Sequence, residues 1–353
     1  MGTEPARLPA TPPAAPLFVT ATVLVAATLA WFMLKELGAV LRPLLIAVLL
    51  AYVLLPYHTR LKKHVGTPVS LILLAGITVA VLLGIALTVQ MSVTELTRDW
   101  PQFQDRLDSA IARAEAVLFA QAPGLMGESE ANMREQMSGL AARAVGPILN
   151  TAAAAFLEAC VVGLYLLFLL LEGSQFPSRV RKAYAAERAE EILDLAGQVN
   201  AAIVSYLKAK VKSSFILAAP VGIILQLLGV KFALLWAVLT FFCNFVPYLG
   251  SVTAWVLPVG FAALQLDPGW RPIAVAILLL GCQAASASFI EPMLLGQAVG
   301  LSPLVILISL AFWGLLWGIS GMLLAVPLTV VPVIVMNHFS FTRPVAKLVS
   351  AGP

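Results

Sequence analysis

The chain has 353 residues, 60% of them hydrophobic and only 11% charged, with a mean hydropathy of +0.94. A soluble core of this length cannot hide so much apolar surface, so the composition excludes a soluble globular enzyme and indicates a polytopic membrane protein. The net charge of +4 fits the lysine and arginine excess of cytoplasmic loops, and no basic patch with interleaved aromatics points to a nucleic-acid partner.

Residues 1–16, MGTEPARLPATPPAAP, are rich in proline and lack an apolar period, and read as a disordered tail. Leu17 to Leu34 is the first apolar stretch. Its leader carries one arginine and one glutamate instead of a basic cluster, which favours a retained helix over a cleaved signal peptide. A bilayer core of about 30 Å needs roughly 20 apolar residues. Further spans meeting this need are Ala39 to Tyr57, interrupted early by Arg42 and Pro43, then Pro68 to Gln90, then Asn150 to Leu171.

The loops between them differ in charge. HTRLKKHVGT, residues 58–67, holds Arg60, Lys62 and Lys63 without an acid and reads as cytoplasmic. Residues 91–149 hold eight acids, five arginines and no lysine, which suits the extracytoplasmic side. There Phe103, Leu107, Ile111, Ala114 and Leu118 recur at helical spacing, and after Pro123-Gly124 so do Met133, Met137, Leu140 and Ala144. Residues 172–212 return to seven basic against five acidic residues, with a third such stripe at Ile192, Leu195, Val199, Ile203 and Tyr206. These amphipathic helices pack on the membrane domain or lie on its surface.

The expected organisation is therefore three helices within residues 17–90, an extracytoplasmic segment over 91–149, a fourth helix in 150–171, a cytoplasmic segment over 172–212, a transport core over 213–342 and a cytoplasmic tail over 343–353. The expected fold class is all-α, with about eight transmembrane helices and broken or re-entrant ones in the C-terminal half.

That half carries the informative residues. From Ser213 to Thr342 the formal charges are Lys231, Asp267, Arg271 and Glu291. Inside this greasy region FCNFVPYLGS, residues 242–251, breaks the helical pattern at Pro247-Tyr248-Leu249-Gly250, flanked by Pro220 and Gly222 and by Pro258 and Gly260. The apolar pieces between these positions are short for full spans. FIEPMLLGQAVGLSP, residues 289–303, breaks it again at Glu291-Pro292, Gly296, Gly300 and Ser302-Pro303. A backbone group freed in lipid costs several kcal/mol unless it is buried in protein or lines a wet cavity. Two interrupted segments are thus the pointer to a transport site, packing kinks being the alternative.

Asn244 offers donors and an acceptor to a solute or to a neighbouring helix. Glu291 suits an ion, a solute or the helix start at Pro292. Glu158, within the fourth span, is a proton-relay or hydrogen-bonding residue. Gly314, Gly318 and Gly321 provide close helix packing, with Trp313 and Trp317 as interfacial or packing aromatics. Cys160, Cys243 and Cys282 lie in apolar runs and form no disulfide framework. His58, His64 and His338 have no metal-ligand pattern, and no cofactor or catalytic constellation is present.

NFVPYLGS, FIEPMLLGQAVGLSP and LAFWGLLWGISGMLLAVPLTVV, in this order and spacing, resemble the C-terminal blocks of the AI-2E family, bacterial exporters related to the autoinducer-2 efflux protein. The chain departs from that pattern at Ser251, where a second proline is common, and at Ala209-Lys210, where a glycine precedes a polar residue. The resemblance implies a multi-pass transporter of the bacterial inner membrane, forming a homo-oligomer, with a pentamer as one assembly it admits. It implies export of a small polar metabolite or signalling molecule, or monovalent cation/proton antiport as in other branches. An oligomeric channel or membrane scaffold is the third reading.

Overall fold

A computed structural model describes residues 14–121, 158–173, 175–295 and 300–350. The second outer amphipathic stripe (Met133 to Ala144), Gly296, residues 1–13 and residues 150–157 lie outside the described residues. The described chain is an all-α membrane protein: α1 (Ala14–Glu36), α2 (Gly38–Val65), α3 (Thr67–Gln121), α4 (Glu158–Gly173), α5 (Phe176–Ala183), α6 (Ala186–Leu227), α7 (Ala233–Cys243), α8 (Leu249–Gln265), α9 (Trp270–Ala285), a π-helical turn (Ser286–Ile290), α10 (Glu291–Leu295), α11 (Pro303–His338) and α12 (Arg343–Val349). Among the described residues four helices are long and apolar enough to cross a bilayer, or up to six if two bent pairs each count as one span. Helices suit this setting because each satisfies its amides within its own segment where water is absent.

Two expectations about boundaries change. The third span and the first outer amphipathic stripe form one helix, α3, which runs through Pro101 without ending. Its distal half is fastened down: Phe103 is buried against Phe261 at 5.2 Å, Asp99 pairs with Lys231 at 2.7 Å, and Arg106 binds the Gln265 carbonyl and Asp267. Pro220 and Pro258, expected as break points, sit inside α6 and α8. Proline removes one backbone bond and leaves the rest of the ladder intact, which packed neighbours tolerate in a membrane helix.

Helix α6 is the spine. Its apolar half buries Leu217, Val221 and Leu225 against Val275 and Leu279 of α9, while its first half packs Ile203 and Leu207 against Val326 and Val330 of α11. A separate cluster of Ala47, Leu71, Val162 and Leu166 joins α2, α3 and α4.

Against this spine two hairpins are set. Helices α7 and α8 are antiparallel, because Trp236 and Phe232 near the start of α7 meet Phe261 near the end of α8 at 5.4 and 5.6 Å. The hairpin tip is Asn244 to Tyr248. With 11 and 17 residues, its arms reach about 16 and 25 Å, less than the ~30 Å hydrocarbon core.

Helix α11 is also a hairpin. Gly318 takes φ 63°, ψ −141°, and beyond it the chain returns: Ser309 donates to the Ala325 carbonyl at 3.1 Å and bonds Thr329. In a straight helix Ser309 and Ala325 would stand about 24 Å apart. The first arm, residues 303–317, spans only about 22 Å.

The hairpins enter from opposite ends of α6. The base of α7–α8 lies beside its end, where the Lys231 amide donates to Gln265 Oε1 at 2.7 Å. The base of α11 lies beside its start, where His338 Nε2 meets Glu191 at 3.0 Å. They meet inside the protein, with Val246 of the first tip packed on Leu310 and Ala325.

The closest approaches exclude side chains. A Cβ on Gly250 would overlap the Cys243 carbonyl, whereas one on Gly281 in α9 meets nothing. Gly250→Ala is expected to lower unfolding stability in detergent by about 3 kcal/mol or more through overpacking, and Gly281→Ala to leave it unchanged or raise it by up to ~1 kcal/mol. Thermal unfolding of the two purified variants measures the difference.

Candidate functional site

On one face of α6, at steps of four, three and one, stand Tyr206, Lys210, Ser213 and Ser214. All are buried, at 5, 4, 0 and 0% exposure. Helical spacing makes this a continuous polar stripe through the interior. Ser213 donates back to the Lys210 carbonyl at 3.0 Å.

Asn244 faces the stripe from the first hairpin tip. Its Nδ2 donates to Ser214 Oγ at 3.0 Å and to Ser213 Oγ at 3.3 Å. Thr240, one turn earlier in α7, is fully buried, and its hydroxyl has no partner among the described residues.

The tip itself is a classic γ-turn. The Leu249 amide bonds the Pro247 carbonyl at 2.7 Å across Tyr248, which adopts φ 62°, ψ −63°. That conformation is rare for a residue with a side chain and costs of order 1–3 kcal/mol. The close seat of Gly250 on Cys243 holds it in place.

Glu291 reaches the stripe from the second break. Its Oε1 lies 2.6 Å from Lys210 Nζ, and its side chain is 31% exposed against 5% for the lysine. The π-helical turn delivers it there: the Glu291 amide bonds the Ser286 carbonyl five residues back, a widened turn of the kind found at functional sites. Ser286 is 2% exposed, and its hydroxyl, like the Tyr206 phenol, has no partner among the described residues. The site thus combines one buried cation, one carboxylate open on one side, an amide and three hydroxyls without partners. Such atoms are costly to leave dry.

Of the expected site residues, Asn244 and Glu291 bond the stripe, while Pro247, Tyr248 and Gly250 shape the hairpin tip that carries Asn244, with Tyr248 itself 55% exposed. Pro292, the second residue of α10, is exposed, and Ser302 caps α11 ahead of Pro303, its amide bonded to the Val349 carbonyl at 3.1 Å. Glu158 is the outward-facing first described residue of α4, a helix in the separate α2–α3–α4 cluster. Gly314 and Gly321 pack inside the α11 hairpin, against Met322 and the Trp313 carbonyl, while Gly318 makes its turn. Trp317 donates to the Leu34 carbonyl at 2.9 Å, tying that turn to the end of α1.

Lys210 was not expected in the site. Its signal was the spacing Tyr206, Lys210, Ser213 on a helix otherwise read as cytoplasmic. The carboxylate partner lies 81 positions away, and no local pattern reports it.

The family described as "AI-2E family transporter" matches residues 19–341. The AI-2 transport protein TqsA of Escherichia coli K12 is 27% identical over 311 residues, 87% of this chain and 88% of that protein. MT0215 of Mycobacterium tuberculosis (strain CDC 1551 / Oshkosh), a candidate transport protein, is 31% identical over 307 residues, 84% and 82% of the two chains. A candidate transport protein of Borreliella burgdorferi is 33% identical over 184 residues, 52% of this chain; the match spans about half of that protein, 51%.

The asymmetry of the ion pair has a measurable consequence. Glu291→Gln leaves a buried ammonium without a counter-charge and is expected to destabilise by about 3 kcal/mol, whereas Lys210→Met/Glu291→Leu removes both charges and recovers most of that loss. Unfolding of the two variants in the same detergent checks the order. Equal destabilisation contradicts a desolvated pair.

Proposed function

We propose that this chain, which belongs to the AI-2E family of transporters, exports a small polar metabolite or signalling molecule across a bacterial inner membrane by alternating access, with the α6 stripe as its binding site. The observation that carries the reading is the set of buried, unpartnered hydroxyls of Tyr206, Thr240 and Ser286 beside Lys210, Glu291 and Asn244. A hydroxylated solute satisfies these atoms, and the hairpin tips supply the bare helix ends that transporters turn toward their cargo.

Two hairpins entering from opposite ends of α6 suit alternating access. Withdrawal of the α7–α8 tip bares the stripe toward one face, and withdrawal of α11 bares it toward the other. The basic loop at residues 58–67 supports an orientation with the α11 base at the cytoplasmic face and the α7–α8 base outside. TqsA is named an AI-2 transport protein, and autoinducer-2, a small polar molecule, is the first cargo to test here.

A second reading, monovalent cation/proton exchange, is favoured by one observation. Glu291 is the carboxylate of the site, and its one-third exposure leaves it open to an incoming cation. Exchange requires such a titratable group, while a neutral solute needs only amides and hydroxyls.

Proteoliposomes separate the two. Export predicts saturable efflux of labelled autoinducer-2 that falls at least tenfold in Asn244→Ala, with no proton flux on a sodium gradient. Exchange predicts sodium-driven proton movement that is lost in Glu291→Gln or in Glu158→Gln, with autoinducer-2 retained. Flux that neither saturates nor responds to any of the three substitutions overturns both and indicates a channel.

A further inference from the structure

The last described helix has three distinct faces. At about 100° per residue, Ala346 and Val349 share one arc, Pro344, Val345 and Leu348 a second, and Arg343 and Lys347 a third. The first arc is the protein side: Ala346 is fully buried, and Val349 joins the Ile203, Tyr206, Leu207, Leu301 cluster. The second is bare. Leu348 is 83% exposed and Val345 48%, and just before the helix Phe341 is 93% exposed.

This helix is placed by the chain. Only four residues separate it from the end of α11 at His338. Its start is fixed by Arg343 Nε donating to the Asn337 carbonyl at 3.1 Å and Thr342 Oγ1 to the Met336 carbonyl at 2.7 Å. An apolar arc beside a basic arc, held at the end of a membrane-embedded hairpin, has the composition of an interfacial helix. From Pro292 to Ser350 the formal charges are Arg343 and Lys347, both positive.

We infer that α12 docks on the anionic phospholipid surface of the leaflet that receives the base of α11, with Phe341, Val345 and Leu348 in the acyl boundary and Arg343 and Lys347 on headgroup phosphates. The docking bears on the second break. Ser302 donates its amide to Val349, and Leu301 pairs with Ser350, so α12 clamps the residues leading into α11 between lipid and the Tyr206 end of the polar stripe. Anionic lipid then steadies the base of one hairpin, independently of which solute is carried.

The test uses the full chain with Cys160, Cys243 and Cys282 replaced by alanine and an environment-sensitive fluorophore on Leu348→Cys. In vesicles of phosphatidylcholine with 30% phosphatidylglycerol, label emission is expected to shift to the blue, and quenching by aqueous iodide to fall at least threefold relative to pure phosphatidylcholine. Lys347→Glu is expected to reverse most of this. Two basic residues near such a surface change partitioning by about thirtyfold. A control label on Tyr184→Cys, exposed in the turn before α6, corrects for direct exclusion of iodide by the charged surface. Identical emission and control-corrected quenching in both vesicle types, or a response unchanged by Lys347→Glu, overturns the inference.

Discussion

A polar atom inside hydrocarbon must find a partner, and this constraint shapes the C-terminal half of the chain. Helix α7 ends and α8 begins at a tip packed on the second hairpin, α11 begins just after buried Leu301, and each such helix end frees backbone groups at a cost of several kcal/mol. The structure shelters them in pairs. The first tip closes on itself through the Cys243 and Val246 carbonyls and packs Val246 into the second hairpin. The start of α11 gives its Ser302 amide to Val349. Among the described residues the buried side-chain atoms left without a partner lie on α6 (Asn200, Tyr206), α7 (Trp236, Thr240), α9 (Gln283) and the π turn (Ser286), and three of the six, the hydroxyls of Tyr206, Thr240 and Ser286, belong to the site.

The ion pair fits the same logic. A lysine 5% exposed is tolerable only beside a counter-charge, and Glu291 is delivered to it by a π turn that a regular helix would not make. The strained Tyr248 conformation at the facing tip is held by packing of Gly250. Strain of this kind persists where surrounding structure over-determines it. Both hairpins therefore converge on one helix, whose apolar half packs Leu217, Val221 and Leu225 against α9.

Much of this was legible in the residues. An uninterrupted run of apolar segments gives the all-α membrane class, and the local chemistry of Pro247-Tyr248-Leu249-Gly250 marks a real end of helix, because proline and glycine act together there. Pro220 and Pro258 misled for a physical reason: each costs one hydrogen bond, which packing in a continuous helix absorbs. Gly318 read as a packing residue because a glycine spacing looks alike whether it serves close approach or a positive φ. The Lys210–Glu291 contact and the return of Ser309 to Ala325 depend on how distant segments meet, and periodicity carries no information about that.

The central claim is that the α6 stripe is reached by water and solute from one face at a time. Its most direct measurement is thiol labelling of Ser214→Cys in reconstituted protein whose native cysteines are replaced, using a membrane-impermeant maleimide applied to each face in turn. The account predicts labelling from one face in the resting protein, and a shift toward the other when Gly318→Ala, which strains the α11 turn, disturbs that hairpin. A cysteine that stays unreactive from both faces in every variant, while a detergent-unfolded control labels fully, would show the stripe to be sealed packing and contradict the account.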